Sequence, residues 1–233
     1  MAVKSFNEGA IAPLLFACRS GLVLAASVLL AACSHDNTPP PFTASGYVAD
    51  DGAVRLWRKD AGDGAIRLLS VFSPWRSGAT VTREYRWQGD NLSLIELNTY
   101  STPPEHVRIR FDDRGALSFM QRERDGQKQQ LSNDEIALYR YHADRIRATS
   151  DALRTGRVVL RQGRWNADRT ITTCEGKTET PELDELALRR INDRQQHSSL
   201  AVSVAWLEAP EGAQLLLVAN SDFCHWQPKA EAF

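Results

Sequence analysis

The residues best suited to chemistry in this sequence are four cysteines, five histidines and a run of tryptophan, tyrosine and arginine between positions 57 and 87. No two histidines stand three to five residues apart, the spacing a metal-binding pair on one helix would use. His106 follows Pro103-Pro104-Glu105 and reads as a loop residue, His142 falls in a helical stretch, and His197 lies in a polar turn. Each reads as a surface residue rather than a catalyst. Asp112-Asp113 sets two carboxylates side by side, but in a turn, where aspartate serves the backbone. Neither GxGxxG nor GxxxxGK(S/T) is present, and GxSxG, SxxK and HExxH are absent too. The expectation is therefore no catalytic residue, no metal and no cofactor. Trp57, Trp75, Tyr85 and Trp87 with Arg76, Arg83 and Arg86 offer rings and guanidinium groups that suit a glycan, a lipid headgroup or a peptide. The competing reading packs the rings into a sheet core and leaves the arginines in water. Arg108, Arg110, Arg122 and Arg124 would face anionic lipid, although Glu105, Glu123 and Asp125 dilute their charge.

The cysteines depend on compartment. Gly21 to Ala32 is an uncharged, mostly apolar run preceded by Arg19 and Lys4. It falls short of the about 20 residues a spanning helix needs and matches the core of a secretory signal. Read with Ile11 to Cys18, the stretch would span as an uncleaved anchor if Arg19 snorkels. Leu30-Ala31-Ala32-Cys33 resembles a bacterial lipobox, which implies cleavage before Cys33, diacylglycerol on its sulfur and acylation of its new amino terminus. The alternative is a buried cysteine on a core helix. Two or three chains anchor a protein stably, each buried CH₂ contributing about 0.8 kcal/mol. Ser34 to Pro41 then serves as a tether, its prolines favouring extended polyproline II and its His35 solvated. In Gram-negative lipoproteins an aspartate after the cysteine favours inner-membrane retention, so Ser34 implies the inner leaflet of the outer membrane, with the body facing the periplasm.

Cys18 would leave with the signal, so Cys174 and Cys224 remain as an even pair in an oxidising compartment, which reads as a disulfide. Closing a loop of this length is worth roughly 4 kcal/mol in the chain-entropy model. A metal site from Cys174, Cys224 and His225 is the sharper alternative, but adjacent ligands suit a tetrahedral site poorly and further partners are lacking.

These residues need elements to hold them. From Phe42 to Leu131, alternating runs such as AVRLWRK, REYRW and VRIRF are separated by Asp50-Asp51-Gly52, Asp60 to Gly64, Gly89-Asp90-Asn91, Asp112 to Gly115 and Asp125-Gly126. This predicts an antiparallel meander of hairpins. Ser132 to Glu135 fits a capping box, and Ile136, Tyr139, Ala143, Ile146, Ser150 and Leu153 make one helical stripe ending near Gly156. Arg140, Asp144, Arg147, Asp151 and Arg154 lie opposite as prospective ion pairs along the helix. Thr180-Pro181-Glu182 predicts a second helix to about Arg194, capped by Thr180. SLAVSVAWLEA and QLLLVANSDF read as strands in the centre of a sheet. The fold class is α+β, mainly antiparallel sheet, with residues 1–32 as signal, 33–41 as lipidated tether, 42–131 as meander and 132–233 as helix followed by a β/α/β-hairpin segment in one unit. The net charge of −1 comes from 28 basic and 29 acidic residues, interspersed, so no global field favours nucleic acid.

FTASGYVADDGAVRLWRKD, VFSPWRSG, YRWQGDNLSLIELNTYS, SFMQRERDGQKQQLS and VAWLEAPEGAQLLLVAN together resemble a family of uncharacterised lipoproteins, carrying a domain of unknown function, from enteric bacteria and their relatives. The resemblance covers most of the chain from about Phe42 and implies no catalytic residue or ligand. The sequence is read as an envelope lipoprotein with a binding or envelope-maintenance role and the membrane as its first partner. An envelope hydrolase with a dispersed site and a structural adaptor for another envelope protein are the alternatives.

Overall fold

The computed structural model describes residues 39–233; the expected signal segment, Cys33 and His35 lie outside the described residues. From Phe42 the chain folds back on itself at each turn that carries aspartate or glycine, through β1 (Phe42–Ala49), β2 (Gly52–Asp60), β3 (Ala65–Pro74), β4 (Thr80–Gln88), β5 (Asn91–Tyr100), β6 (Glu105–Phe111), β7 (Leu117–Arg124) and β8 (Gln127–Gln129). Each strand pairs antiparallel with the next, giving an eight-stranded meander. Helix α1 (Asn133–Thr155) follows, then β9 (Val159–Trp165), β10 (Ile171–Thr173), β11 (Thr178–Glu179), helix α2 (Glu185–Gln196), β12 (Ser203–Ala209) and β13 (Gly212–Ala219). The last five strands form a second antiparallel sheet in the order β11-β10-β9-β12-β13. The protein is α+β, and the described residues are mostly strand, with one long α-helix and one shorter.

The period of two in β2 explains how these elements stack. Val54, Leu56 and Arg58 face α1, whereas Ala53, Arg55 and Trp57 face the second sheet. Three apolar layers result. Leu68, Tyr85, Ile95 and Val107 of the meander pack on Ile136, Ala143 and Ile146 of α1. Trp57 and Val71 meet Leu160, Leu207 and Leu217 between the sheets. Ile171, Val204 and Trp206 meet Ala187 and Ile191 of α2. The order across the molecule is thus helix, sheet, sheet, helix. The second sheet covers only the first strands of the meander, as one cross-strand row shows: Trp57, Leu69, Glu84, Glu96, Arg108 and Gln121 are successive partners. The row begins in a core and ends in half-buried ion pairs, Arg67 and Arg86 on Glu84, and Arg108 on Glu96.

Helix α1 opens with the expected reciprocal cap between Ser132 and Glu135, and Ile136, Ala143, Ile146 and Ser150 are buried along its stripe. Its end differs from expectation by one residue. Gly156 is ordinary right-handed backbone at φ −73°, and Arg157 takes the left-handed position at φ 53°. The bonds Val158 N–H to Leu153 O and Arg157 N–H to Arg154 O complete a Schellman motif around Arg157. The charged residues opposite the stripe do not pair with one another. Arg147 reaches Asp90, Asp151 reaches Arg58, and Arg154 reaches Asp60, because the sheet brings carboxylates closer than the next helical turn does. The second helix also begins later than Thr180-Pro181 suggests. Thr178–Glu179 is paired in the sheet, the chain stays extended to bury Leu183, and Asp184 supplies the cap by accepting from Ala187 N–H at 2.7 Å. β13 lies at a sheet edge rather than the centre, and of the last two strands only β12 has neighbours on both sides.

Candidate functional site

The seven aromatic and basic residues singled out between positions 57 and 87 do not form one surface. Trp57 is fully buried between the sheets. Tyr85 and Trp87 lie beneath α1, stacked with centroids 5.7 Å apart, because alternate positions of β4 continue the apolar rows of Ile66 and Leu68. Arg86 projects from the opposite face onto Glu84. Trp75 and Arg76 stand beyond the end of β3 and line a large cleft, whereas Arg83 and Tyr85 line a smaller pocket under α1. The second arginine set divides as well. Register puts Arg108 and Arg110 on the face away from α1, with Arg108 on Glu96, while Arg122 faces α1 and binds Glu105 and Glu135. Alternation along a strand separates neighbouring charges by the thickness of the sheet, so neither set acts as a patch.

The large cleft, about 1020 Å³, opens between the end of β3, the edge strand β13 and helix α2. Arg190, Asp193, Arg194 and His197 approach it from α2, a spacing of three to four that places them along one helical face. Arg76 and Trp75 border it opposite, and Leu215 and Leu217 line its wall. Among the described residues Arg76, Arg190, Arg194 and Asp193 make no ion pair, so three guanidinium groups meet one carboxylate there.

Ser73 and Phe223, both in the cleft wall, are also the contacts of a buried cation. Arg55 is 1% exposed, donates to Gln162 Oε1 at 3.1 Å and to Ser73 Oγ at 3.2 Å, and lies 4.6 Å from the Phe223 ring centroid. Its Nε has no partner, and no carboxylate neutralises it among the described residues. Burial pushes its pKa down to about 10, which still leaves it charged at neutral pH. Gln162 in turn donates to Phe223 O and to Gln227 Oε1, and Gln227 donates to Glu175. This relay of amides, which ends on the Glu175 carboxylate, runs beside the disulfide joining Cys174 and Cys224, whose Cα atoms are 5.3 Å apart. With both sulfurs bonded to each other, no thiolate is left there to serve a metal site with His225. No group of three or more His, Cys, Asp or Glu placed to hold a metal occurs among the described residues.

The histidines occupy unlike settings. His106, expected in a loop, lies within β6 and meets Glu96 at 3.1 Å beside Arg108 at 2.9 Å. Burial raises the Glu96 pKa, and the bonds and charges of Arg108 and His106 outweigh it, holding the carboxyl below its ordinary range. His197 caps α2 through Nδ1 on Asp193 O. Asp112 does serve its turn, accepting from Arg114 N–H at 2.9 Å and Ala116 N–H at 2.8 Å. Among the described residues no serine, threonine or cysteine side chain is hydrogen-bonded to a histidine.

Arg55, Arg190 and Arg194 were not singled out from the sequence, and His197 was read there only as a surface residue of a polar turn. For Arg55 a cue was present: AVRLWRK carries arginine where both faces of the strand are buried, so that residue has no route to water. The α2 residues carry no comparable cue, since a charged helix face is ordinarily solvated.

Fold and cleft together define an α+β two-sheet protein with a helix on each outer face and a basic cleft at the edge of its second sheet. Residues 44–229 match the family described as Protein of unknown function (DUF1481), and the chain belongs to that family. It is similar to Uncharacterized protein YjaH of Escherichia coli (strain K12), 67% identical over 232 residues that cover 99% of this chain and 100% of that protein. No solved structure matches it.

Proposed function

We propose that this protein is a lipid-anchored binding protein of the bacterial envelope, attached through Cys33 to the inner leaflet of the outer membrane and facing the periplasm. The observation that carries this reading is Leu30-Ala31-Ala32-Cys33 at the end of an apolar run too short to span, followed by a polar, proline-bearing stretch before β1 begins at Phe42. The Cys174–Cys224 disulfide is consistent with an oxidising compartment. No helix among the described residues is long and apolar enough to cross a membrane. Binding is assigned to the large cleft, where three guanidinium groups and a tryptophan against one carboxylate favour an anionic ligand. Feeding labelled palmitate to cells that express the full chain tests the anchor. Label is expected in the parent protein and absent from Cys33→Ala, which moves out of the membrane fraction; equal partitioning of the two without label would contradict the reading.

A further inference from the structure

Along α1, a smaller, partly open pocket of about 280 Å³ is lined by Tyr47 of β1, Ser70 of β3, Arg83 and Tyr85 of β4, and the exposed His142 and Arg145 of α1. The two elements build it by their separate periods. On the sheet, Leu56, Ser70, Arg83, Leu97 and Val107 are successive cross-strand partners on the face toward α1, so Arg83 is a cation set into a largely apolar row. On the helix, residues 142, 145, 146 and 149 share a face and lie over that row.

The other arginines at this interface supply an internal control. Arg58 meets Asp60 and Asp151, Arg122 meets Glu105 and Glu135, Arg147 meets Asp90, and Arg154 meets Asp60. Arg140 donates to Gly115 O and lies over the Phe111 ring. Arg83 and Arg145 have no carboxylate within 4.0 Å among the described residues, and the pocket wall contains none. Among the described residues the half-buried Arg83 makes no side-chain hydrogen bond, and the exposed Arg145 has a 3.5 Å contact with the Tyr141 hydroxyl and lies 5.8 Å from that ring's centroid. The hydroxyls of Tyr47, Tyr85 and Ser70 are likewise without side-chain partners among the described residues, and none of them is a fully buried unpartnered atom, so each opens onto the pocket. Two like charges and three hydroxyl donors thus line one partly open space whose wall offers them no carboxylate.

We propose that this pocket binds a phosphate group, held between the Arg83 and Arg145 guanidinium groups and capped by the tyrosine and serine hydroxyls. A phosphate offers several acceptor oxygens and a charge of about −1.5 to −2, and planar guanidinium forks match its edges in pairs. A single carboxylate would leave part of this donor set unused. Burial, then Arg83 and Arg145, hold His142 below its ordinary pKa, so in the empty pocket the imidazole stays neutral near pH 7. Tyr85 is pushed up to about 12 mainly by burial, and Tyr47 is also raised, so both remain hydroxyl donors. These groups on β1, β4 and α1 are the titratable and charged side chains that face the pocket. An entering phosphate would offset the two guanidinium charges felt by His142 and raise its pKa.

The same chemistry could arrive as free phosphate or as a lipid headgroup, and the test separates them. Full-length protein in dodecyl maltoside, labelled with ¹⁵N at histidine, is titrated with inorganic phosphate and, separately, with dihexanoylphosphatidylglycerol. The expected result is saturable binding of at least one probe with an upward shift of the His142 pKa. Arg83→Gln and Arg145→Gln should each weaken it about ten- to hundredfold, the effect of losing a charge-assisted contact. Saturation by inorganic phosphate assigns a free phosphate ligand, and saturation by the lipid alone assigns a headgroup. Thermal melting in the absence of phosphate checks the variants: removing either unpaired charge should leave the melting temperature unchanged or higher. Failure of both probes to move His142, or equal binding by the parent and both glutamine variants, would overturn the proposal.

Discussion

Two arginines three residues apart in β2 meet opposite fates. Arg58 turns toward α1, where Asp60 and Asp151 take its guanidinium at 2.6 and 2.5 Å. Arg55 turns toward the second sheet, where an amide, a hydroxyl, a carbonyl and an aromatic ring receive it without any countercharge. Residue type and strand are the same, and both side chains are buried. The difference shows that burial alone does not say what a charge is for. The α1 side balances Arg58 and thereby ties helix to sheet, whereas the inter-sheet side keeps a net positive charge beside an open cleft. The half-buried Arg83 and the exposed Arg145 also lack a carboxylate partner along α1, but neither is enclosed as Arg55 is.

The largest expected effect lies on the inter-sheet side, which adds a covalent tie to its neutral hydrogen bonds. Replacing Cys174 and Cys224 by serine opens a loop with a sequence separation of 50. The cost should be about 3–4 kcal/mol, measured by urea unfolding. Amide exchange should then rise in β9, β10 and β13 before it rises in α1; uniform loss of protection would erase the contrast between the two sides.

Next comes the direct comparison. Arg58→Met should destabilise by about 2 kcal/mol, less than a fully enclosed pair would lose because Asp151 is half exposed and Asp60 keeps Arg154. Arg55→Met should fall within about 1 kcal/mol of the parent, since a similar apolar volume replaces an uncompensated charge. Equal losses at both positions would mean that the amide relay through Gln162 and Gln227 holds Arg55 as firmly as direct carboxylates hold Arg58. Acid should act through the Arg58 side. Burial raises the pKa of Asp60, but the bonds and charges of Arg58 and Arg154 outweigh it and set it below the ordinary value. A depressed folded-state pKa gives stability that is present above the unfolded value of about 3.9 and is lost as pH falls through the folded one. Asp60→Asn should therefore flatten the decline in melting temperature below about pH 4.

The smallest effect concerns the end of α1, where Arg157 rather than the neighbouring glycine occupies the left-handed position. Arg157→Gly should stabilise by about 0.5–1 kcal/mol, read as a raised urea midpoint without change in slope.

Local features were legible in the sequence because neighbouring residues settle them. The capping box at Ser132 and Glu135, the turns at Gly64 and Gly89, and the alternation in β6 all follow from spacing. The same alternation predicted that Arg108 and Arg110 would oppose Val107 and Ile109. Partners were not legible. Arg58 finds Asp151 and Arg55 finds Gln162, both across two layers of structure, and no period in β2 separates the balanced arginine from the unbalanced one. The aromatic run at 57 to 87 left two readings open for a related reason: closeness in sequence groups Trp57, Trp75 and Trp87, while register sends Trp57 and Trp87 into cores, as the packing reading has it, and Trp75 to a cleft. The start of α2 was misplaced because Thr180-Pro181 has the composition of a cap, and the pairing of Thr178 and Glu179 with β10 decides otherwise.

The proposed role rests first on how the chain is held. The most direct measurement is the mass of the amino-terminal peptide of full-length protein expressed in a Gram-negative host and extracted from its membranes. The account predicts a mature chain that begins at Cys33 and carries a thioether-linked diacylglycerol and an amide-linked acyl chain. A peptide that begins at Met1, or an unmodified Cys33, would contradict it.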